Sequence, residues 1–262
     1  MARPEDDRHV AHPPIEPSPS PSLGPIRRST RALRSGLRRY PPELLASFGR
    51  KGLLTHAGST HSAGEVRDLL AELAPHGLAV VWLGHASLLA TLGPITIAVD
   101  PVLSHRIGPR FLGRTWGLSR RAPAPVAPSM LQGVDLVLLT HAHFDHLDRP
   151  TLEALASDRT TVVTPMRCAN IVPRGFRKVV ELAPGAIYSH NDLEVRALPT
   201  RHWGARVVLD RRRGSLGYAL THPEGSLVLA GDTAYTEEIA RAAEAVGPVD
   251  LAAFGVGAYD PW

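Results

Sequence analysis

The chain of 262 residues contains 44% apolar and 21% charged side chains and carries a formal net charge of +4. This balance excludes a wholly disordered chain and a multi-span membrane protein, and the length fits one large domain or two small ones. The whole excess of positive charge lies in residues 1–50, where nine arginines face five acidic residues. The remainder is therefore neutral, which argues against a nucleic-acid-binding face.

The first fifty residues differ in composition from the rest of the chain. Residues 1–25 include seven prolines and few large apolar side chains, so we expect residues 1–50 to form a disordered segment rich in proline and arginine. Within it, four apolar residues share one face of a basic helix predicted over residues 26–40: Ile26, Leu33, Leu37 and Tyr40. This helix could lie on an anionic membrane surface, dock on the body of the protein, or remain an unfolded basic linker.

Cysteine usage and apolar runs indicate the compartment. Cys168 is the only cysteine, so an intramolecular disulfide and a cysteine-rich structural zinc site are both excluded. The first thirty residues contain no apolar run long enough for a secretory signal. The longest apolar runs, 78–83 and 136–139, are far shorter than the ~20 residues that span a bilayer. We expect a cytoplasmic protein whose membrane contact, if any, is peripheral and made through residues 26–40.

From residue 51 onward the sequence has the pattern of one globular domain, predicted over residues 51–262. Helical patterns predict helices over residues 65–74, 150–156 and 236–246. Early strands follow one another closely and later ones alternate with helices, which predicts an α+β fold with packed sheets and helices outside. The strands are predicted from ten short apolar runs broken by glycine and proline: 78–83, 86–92, 95–99, 134–139, 160–163, 178–182, 193–198, 215–220, 226–230 and 249–254.

The connection over residues 101–133 is unusually long and is rich in arginine and proline. Loops of this length are usually functional or disordered. This one also contains large apolar residues, which favours an ordered loop near a site: Ile107, Phe111, Leu112, Trp116 and Leu118.

Four side chains that commonly bind metals follow the apolar run 134–139 within six residues: His141, His143, Asp145 and His146. Side chains two residues apart in an extended segment point the same way, so His141 and His143 could bind one ion together. Asp145 and His146 are adjacent and diverge, so they could reach a second ion. Imidazole nitrogen and carboxylate oxygen suit zinc, with iron or manganese as alternatives.

Two further candidate ligands follow later predicted strands. His202 comes after the run 193–198, and Asp232 comes after the run 226–230 beside Gly231, which allows close backbone approach. Each residue alone would more often be structural. Their positions after strands, downstream of the histidine and aspartate cluster, favour ligation, and Asp232 is well placed to bridge two cations.

The segment HAHFDH resembles the HxHxDH signature of the metallo-β-lactamase superfamily. Further phrases resemble N-acylphosphatidylethanolamine phospholipase D and its bacterial relatives: WLGHAS (82–87), VDP (99–101), TRHW (200–203), GDTAY (231–235) and GVGAYDP (255–261). The HxHxDH signature also resembles the ascorbate-phosphate lactonase-like group, whose members share the Gly-His-Ser/Ala phrase. The resemblance implies an αββα four-layer sandwich. It also implies the ligands of a first metal (His141, His143, His202), those of a second (Asp145, His146), and a bridge between them (Asp232).

The resemblance further implies a C-terminal region that this sequence does not contain. In the superfamily, a histidine on a later strand closes the second metal site, and in the phospholipase-like branch a helix and further strands follow the GAY phrase. The sequence ends at Trp262 before them. We therefore expect a C-terminally truncated domain that binds the first zinc normally. The second zinc, one protein ligand short, would be bound weakly or lost.

The metal pair implied by the resemblance predicts the chemistry. Two ions could hold a hydroxide that acts as nucleophile, with Asp145 orienting it as well as binding metal. The function expected first is a phosphodiesterase of the N-acylphosphatidylethanolamine phospholipase D type, acting on a phospholipid. One alternative is a hydrolase of a small soluble ester, lactone or sugar phosphate. The other alternative is a truncated, inactive scaffold.

Several residues near these motifs could support the site. Asp100 could orient a ligand histidine or simply start a turn, and His85 could do the same or be a hydrogen-bonded core histidine. Three aromatic residues could line a substrate pocket, although ordinary packing explains them equally well: Trp203, Tyr235 and Tyr259.

Overall fold

The computed structural model describes residues 72, 77–120, 123–207, 210 and 212–255. The segment 1–50 with its basic helix, the proposed domain boundary near residue 50, nearly all of the helix predicted over 65–74, and Tyr259 lie outside these residues. Within the described ranges, no helix has the length and apolar character required to span a bilayer.

The described part of the chain consists mainly of short strands. Its α-helices include α1 (Arg149–Leu155) and α2 (Glu237–Glu244), and short 3-10 turns occur at Pro128–Leu131 and Ala169–Ile171. In chain order the strands are β1 (Leu78–Gly84), β2 (Ser87–Leu92), β3 (Ile95–Val99), β4 (Arg106–Ile107), β5 (Arg110–Phe111), β6 (Arg114–Thr115), β7 (Leu118–Ser119), β8 (Leu136–Leu138), β9 (Thr161–Pro165), β10 (Lys178–Leu182), β11 (Ile187–His190), β12 (Leu193–Pro199), β13 (Leu216–His222), β14 (Gly225–Leu229) and β15 (Leu251–Ala253).

These strands form two large sheets. The first has the order β1-β2-β3-β8-β9-β10 and is antiparallel over its first three strands and parallel from β3 to β10. The second has the order β11-β12-β13-β14-β15 and is antiparallel except for the parallel pair β14–β15. Two further ladders, β4–β7 and β5–β6, lie within the connection between β3 and β8.

Alternating side chains place the core between the two sheets and a helix on each outer face. On β3, Ile97 joins the inner core with residues of the second sheet, whereas Ala98 faces the layer that contains Leu152 of α1. On β12, Val195 points inward, while Leu198 packs in the cluster that includes Ala242 of α2. The order of layers is helix, sheet, sheet, helix, which confirms the predicted αββα sandwich.

The predicted elements agree with the structure apart from their ends and the shortest strands. All ten predicted strands are present with ends shifted by no more than two residues, and the helices predicted over 150–156 and 236–246 form. Strand β11 was not predicted, because its residues IYSH form no apolar run. The four strands between residues 106 and 119 were also missed, since two-residue ladders leave no periodicity to detect.

Candidate metal centre

The predicted ligands come from both sheets and meet at one edge of the sandwich. Strand β8 ends at Leu138, and the His141–His146 turn follows it directly. This turn is joined to the second sheet, because the backbone N–H of Leu216 donates to the Thr140 carbonyl at 2.9 Å. His202 follows β12 and Asp232 follows β14, so the second sheet brings its ligands to the same edge.

Three imidazoles form the first group. The Nε2 atom of His141 lies 2.9 Å from Nδ1 of His143, and Nε2 of His202 lies 3.2 Å from the same Nδ1 atom. Ligands at 2.0–2.1 Å around a tetrahedral zinc ion would be separated by about 3.3 Å. The spacing of the three nitrogens therefore fits one metal ion.

Asp232 lies between this group and His146. Its Oδ2 atom is 3.4 Å from Nε2 of His146 and 3.9 Å from Nε2 of His202. The Nε2 atom of His146 is buried and forms no hydrogen bond. A buried imidazole nitrogen without a hydrogen-bond partner, aimed at a carboxylate, is suited to a cation between the two groups. The position fits the bridging role that the resemblance implies for Asp232.

His85 reaches the second group from the hairpin between β1 and β2. Its Nε2 atom lies 3.1 Å from Oδ2 of Asp145, and the candidate ligand atoms of His85, Asp145 and His146 all lie within 4.8 Å of one another. The sequence predicted His85 as a supporting residue; the geometry also makes it a candidate ligand. His85 adopts a left-handed backbone with φ 52°, a strained conformation for a non-glycine residue.

Asp100 fixes the protonation of two candidate ligands. Its Oδ2 atom lies 2.7 Å from Nδ1 of His146 and accepts the hydroxyl hydrogen of Thr140 at 2.5 Å. The Thr140 oxygen in turn lies 3.0 Å from Nδ1 of His141. Since a carboxylate only accepts, the Nδ1–H groups of both histidines point along this network and their Nε2 lone pairs face the metal position. The geometry matches the orienting role predicted for Asp100.

The electrostatics of the site also suit a cation. Burial lowers the pKa of His146, but the carboxylates of Asp100 and Asp232 outweigh it and raise that pKa to about 10. Burial would raise the pKa of Asp145, yet the hydrogen bond with His85 and the neighbouring His146 lower it well below its usual range. Burial, with the neighbouring histidines, lowers the pKa of His141 to about 2. Asp145 is thus ionised and His141 is neutral, as metal ligation requires, and a bound ion would displace the proton that His146 otherwise carries on Nε2.

Two residues that hold the site were missed from the sequence. Thr140 links Asp100 to His141, as described above. Arg206 donates from Nη1 to the carbonyls of Ala142 at 3.0 Å and Leu147 at 2.8 Å, and its guanidinium lies over the Phe144 ring. Arg206 thereby fixes the shape of the turn that carries the ligands. Neither residue belongs to a spacing pattern, so no sequence signal identified them.

An open cleft of about 1050 Å³ adjoins the candidate ligands. Trp82, Trp203, Phe254 and Arg201 line it, and the Trp203 ring lies 6.2 Å from the His143 ring. Trp203 thus lies where a substrate-lining residue was predicted. Tyr235 is 81% exposed and does not line this cleft.

Comparison with known proteins agrees with this geometry. A family model described as a β-lactamase superfamily domain matches residues 96–262. The chain belongs to the metallo-β-lactamase superfamily. This membership confirms the family that the HxHxDH signature indicated and the sandwich fold that it implied.

Relatives within the metallo-β-lactamase superfamily differ in what is known of them. An uncharacterized protein of Mycobacterium tuberculosis is 31% identical over 187 residues, which cover 70% of this chain and 50% of the relative. The N-acyl-phosphatidylethanolamine-hydrolyzing phospholipase D 1 of Caenorhabditis elegans is 30% identical over 205 residues, 71% of this chain and 55% of the relative. The chain therefore spans about half the length of the curated relatives it matches.

A solved structure shows the same superfamily fold. The crystal structure of isothiocyanate hydrolase from Delia radicum gut bacteria aligns with a TM-score of 0.51 and 21% sequence identity, covering 64% of this chain and 68% of that one. At this identity the likeness extends to the fold alone.

Proposed function

We propose that this chain is a metal-dependent phosphodiesterase that hydrolyses a phospholipid of the N-acylphosphatidylethanolamine class. The observation that carries the proposal is the meeting of histidine and aspartate side chains from both sheets at the wall of one open cleft. The similarity to the Caenorhabditis elegans phospholipase supports a phospholipid as substrate. A cleft with aromatic walls and an arginine at its rim suits a molecule that has both acyl chains and a phosphate.

The residues present fit two metal ions, and we propose that these are zinc. His141, His143 and His202 would hold the first, Asp145 and His146 the second, and Asp232 would bridge them. We assign His85 to the second site as a protein ligand, because its Nε2 atom faces the same space as Asp145 and His146. When bound, such a pair of ions polarises a phosphoryl oxygen and acidifies a water molecule.

The side chains of the chain itself would prepare the site for this reaction. Asp145 stays ionised beside His85, so its carboxylate can accept a hydrogen bond from the attacking water or hydroxide and hold it in a fixed orientation. Asp100, 1% exposed, holds the His146 ring in place. Arg201 would attract the phosphate of the substrate at the rim of the cleft, while Trp203 would contact an apolar part of it.

Hydrolysis of defined substrates tests the proposal. Purified full-length chain loaded with zinc should release phosphatidic acid from N-acylphosphatidylethanolamine vesicles, and His143→Ala should reduce the release to background. His190→Ala, which removes a histidine of β11, is the matched control and should retain the activity. Turnover of lactones, soluble esters or sugar phosphates in place of the phospholipid would favour the alternative predicted from the sequence, a hydrolase of small soluble substrates. Turnover of none of them by zinc-loaded protein would favour an inactive scaffold.

Counting bound ions tests the second metal site separately. After dialysis, the wild-type chain should retain two zinc ions and His85→Ala should retain one, while His190→Ala should retain two. One ion in the wild type, or two in His85→Ala, would show that His85 only supports Asp145. One ion in the wild type would support the weaker second site predicted from the sequence, whereas two ions in His85→Ala would contradict it.

A further inference from the structure

The connection between β3 and β8 forms a hairpin, here called the 106–119 hairpin. It consists of two short antiparallel ladders one above the other, called its inner and outer steps. Strand β4 pairs with β7 in the inner step, and β5 pairs with β6 in the outer step. The backbone N–H of Trp116 donates to the Pro109 carbonyl at 2.8 Å and joins the two steps. Leu112 and Gly113 form the tip, with φ values of 49° and 73°. Positive φ at both central residues is typical of a type I′ hairpin turn.

Large apolar side chains of this hairpin face solvent. Phe111 is 65% exposed, Leu112 85%, Trp116 47% and Leu118 50%. Single exposed apolar residues are normal on protein surfaces, but a cluster of four within fourteen residues usually marks a binding surface.

Leu112 occupies a position that neither turn chemistry nor packing explains. Type I′ turns favour asparagine or glycine, because a bulky side chain at positive φ is strained. Leu112 gains no burial in return, since it is the most exposed of the large apolar residues in the described part of the chain. A strained and exposed leucine at a protruding tip is explained if a binding partner outside the protein buries its side chain.

The charge of the hairpin indicates what that partner is. Residues 106–119 contain three arginines and no acidic residue, and Arg120 and Arg121 follow directly. Arg110 also contacts Glu153 of α1 at 2.9 Å, and Arg114 is the cross-strand partner of Phe111. Apolar residues at a tip with arginines beside them match the boundary between acyl chains and anionic headgroups, where arginine binds phosphate while its stem stays apolar.

The base of the hairpin is attached next to the metal centre. Arg120 donates from Nη2 to the Leu83 carbonyl at 3.2 Å and from Nη1 to the Val102 carbonyl. Leu83 precedes the candidate ligand His85 by two residues. The hairpin therefore starts from the wall of the cleft.

We propose that the 106–119 hairpin binds the surface of an anionic bilayer, with Phe111 and Leu112 inserted among the acyl chains and Arg114 bound to lipid phosphate. This surface is distinct from the basic segment 26–40 and does not depend on which ester is hydrolysed. Where the substrate is a phospholipid, the hairpin would keep the cleft close to the lipid surface.

Vesicle binding by the full-length chain tests the proposal. The wild type should sediment with vesicles of phosphatidylcholine and phosphatidylglycerol, less with phosphatidylcholine alone, and less as salt is raised. Phe111→Thr combined with Leu112→Asn should lower the partition coefficient by about tenfold or more, since two apolar side chains no longer enter the bilayer. Asparagine suits the tip backbone, so the melting temperature should not fall. Met166→Gln, which removes an apolar side chain that is 44% exposed, is the control and should bind as the wild type does.

The outcomes separate this proposal from the proposed enzymatic function. Equal binding of the double variant and the wild type would overturn the hairpin as the membrane contact, even if hydrolysis proceeds. Loss of binding in the double variant would support it, even if no lipid is hydrolysed. Self-association of the wild type that the double variant lacks, without vesicle binding, would overturn it in favour of a contact between copies of the chain.

Discussion

Replacing Asp100 by asparagine is expected to weaken binding of the second metal ion. The substitution keeps the shape of the site but moves the ring hydrogen of His146 from Nδ1 to Nε2. The Oδ2 atom of Asp100 lies 2.7 Å from Nδ1 of His146, and both side chains are about 1% exposed. The carboxylate holds the hydrogen on Nδ1 and leaves the Nε2 lone pair for a metal. An amide NH₂ at the same position donates instead, so the hydrogen moves to Nε2 and blocks ligation.

The expected losses of metal affinity and of stability follow from the hydrogen bonds that the substitution keeps and removes. The Thr140 backbone N–H still finds an acceptor in the remaining oxygen, at 2.7 Å in the wild type. Loss of an orienting partner of a metal-bound histidine typically costs 10–100-fold in affinity, which is about 1.4–2.7 kcal/mol. The Thr140 hydroxyl loses its acceptor, so the free energy of unfolding should also fall by about 1–3 kcal/mol.

Competition with a chromophoric zinc chelator measures the two dissociation constants separately. Asp135→Asn is the matched control, because Asp135 accepts hydrogen bonds from the N–H and hydroxyl of Thr96 in the same sheet without contacting a histidine of the site. It should lower stability while leaving both constants unchanged. Wild-type affinity for both ions in Asp100→Asn would refute the assignment of the His146 proton.

Two substitutions in the core probe how the site is held. Gly231→Ala would place a Cβ atom 2.9 Å from Cβ of Thr140, whereas Gly185→Ala meets no atom within 4 Å at a similarly positive φ. We expect a thermal melt to show Gly231→Ala less stable than Gly185→Ala by about 1–3 kcal/mol, and equal stability would contradict the close packing at this point. Tyr218→Phe removes the buried hydrogen bond to the Leu139 carbonyl at 2.7 Å. Urea denaturation should show a loss of about 1–2 kcal/mol with zinc content unchanged, and a changed zinc content would show that Tyr218 also shapes the metal centre.

Much of the fold could be predicted because its strands are buried on both faces. Runs such as LVL in β8 are continuous and apolar, since an inner core and a helix layer cover the two sides of the sheet. β11 was missed for the opposite reason: its residues are exposed or only partly buried, with no apolar run. The short ladders of the 106–119 hairpin depend on a turn with positive φ at Leu112, and a leucine in the sequence does not predict such a turn.

The candidate ligands were predictable because they follow strands, and Asp100 because it ends one, whereas Thr140 and Arg206 were not. His202 and Asp232 could be placed from their positions after β12 and β14, since strand ends of packed sheets meet at a common edge. The ligand position of His85 depends on a backbone angle that composition does not specify for a histidine. Arg206 donates to two backbone carbonyl groups, and every residue has such a group, so the sequence does not show which ones an arginine will contact.

The turn that carries His141 and His143 follows a strand of the first sheet, but β13 of the second sheet and the connection between β12 and β13 hold it in place. Leu216 and Arg206 bind its backbone, and His202 approaches it from the far side. Ions bound there would cross-link the two halves of the sandwich, so their binding energy would add directly to the stability of the folded protein. Zinc supply would then set how often the seam between the halves opens, and hence how quickly proteases could cut the chain.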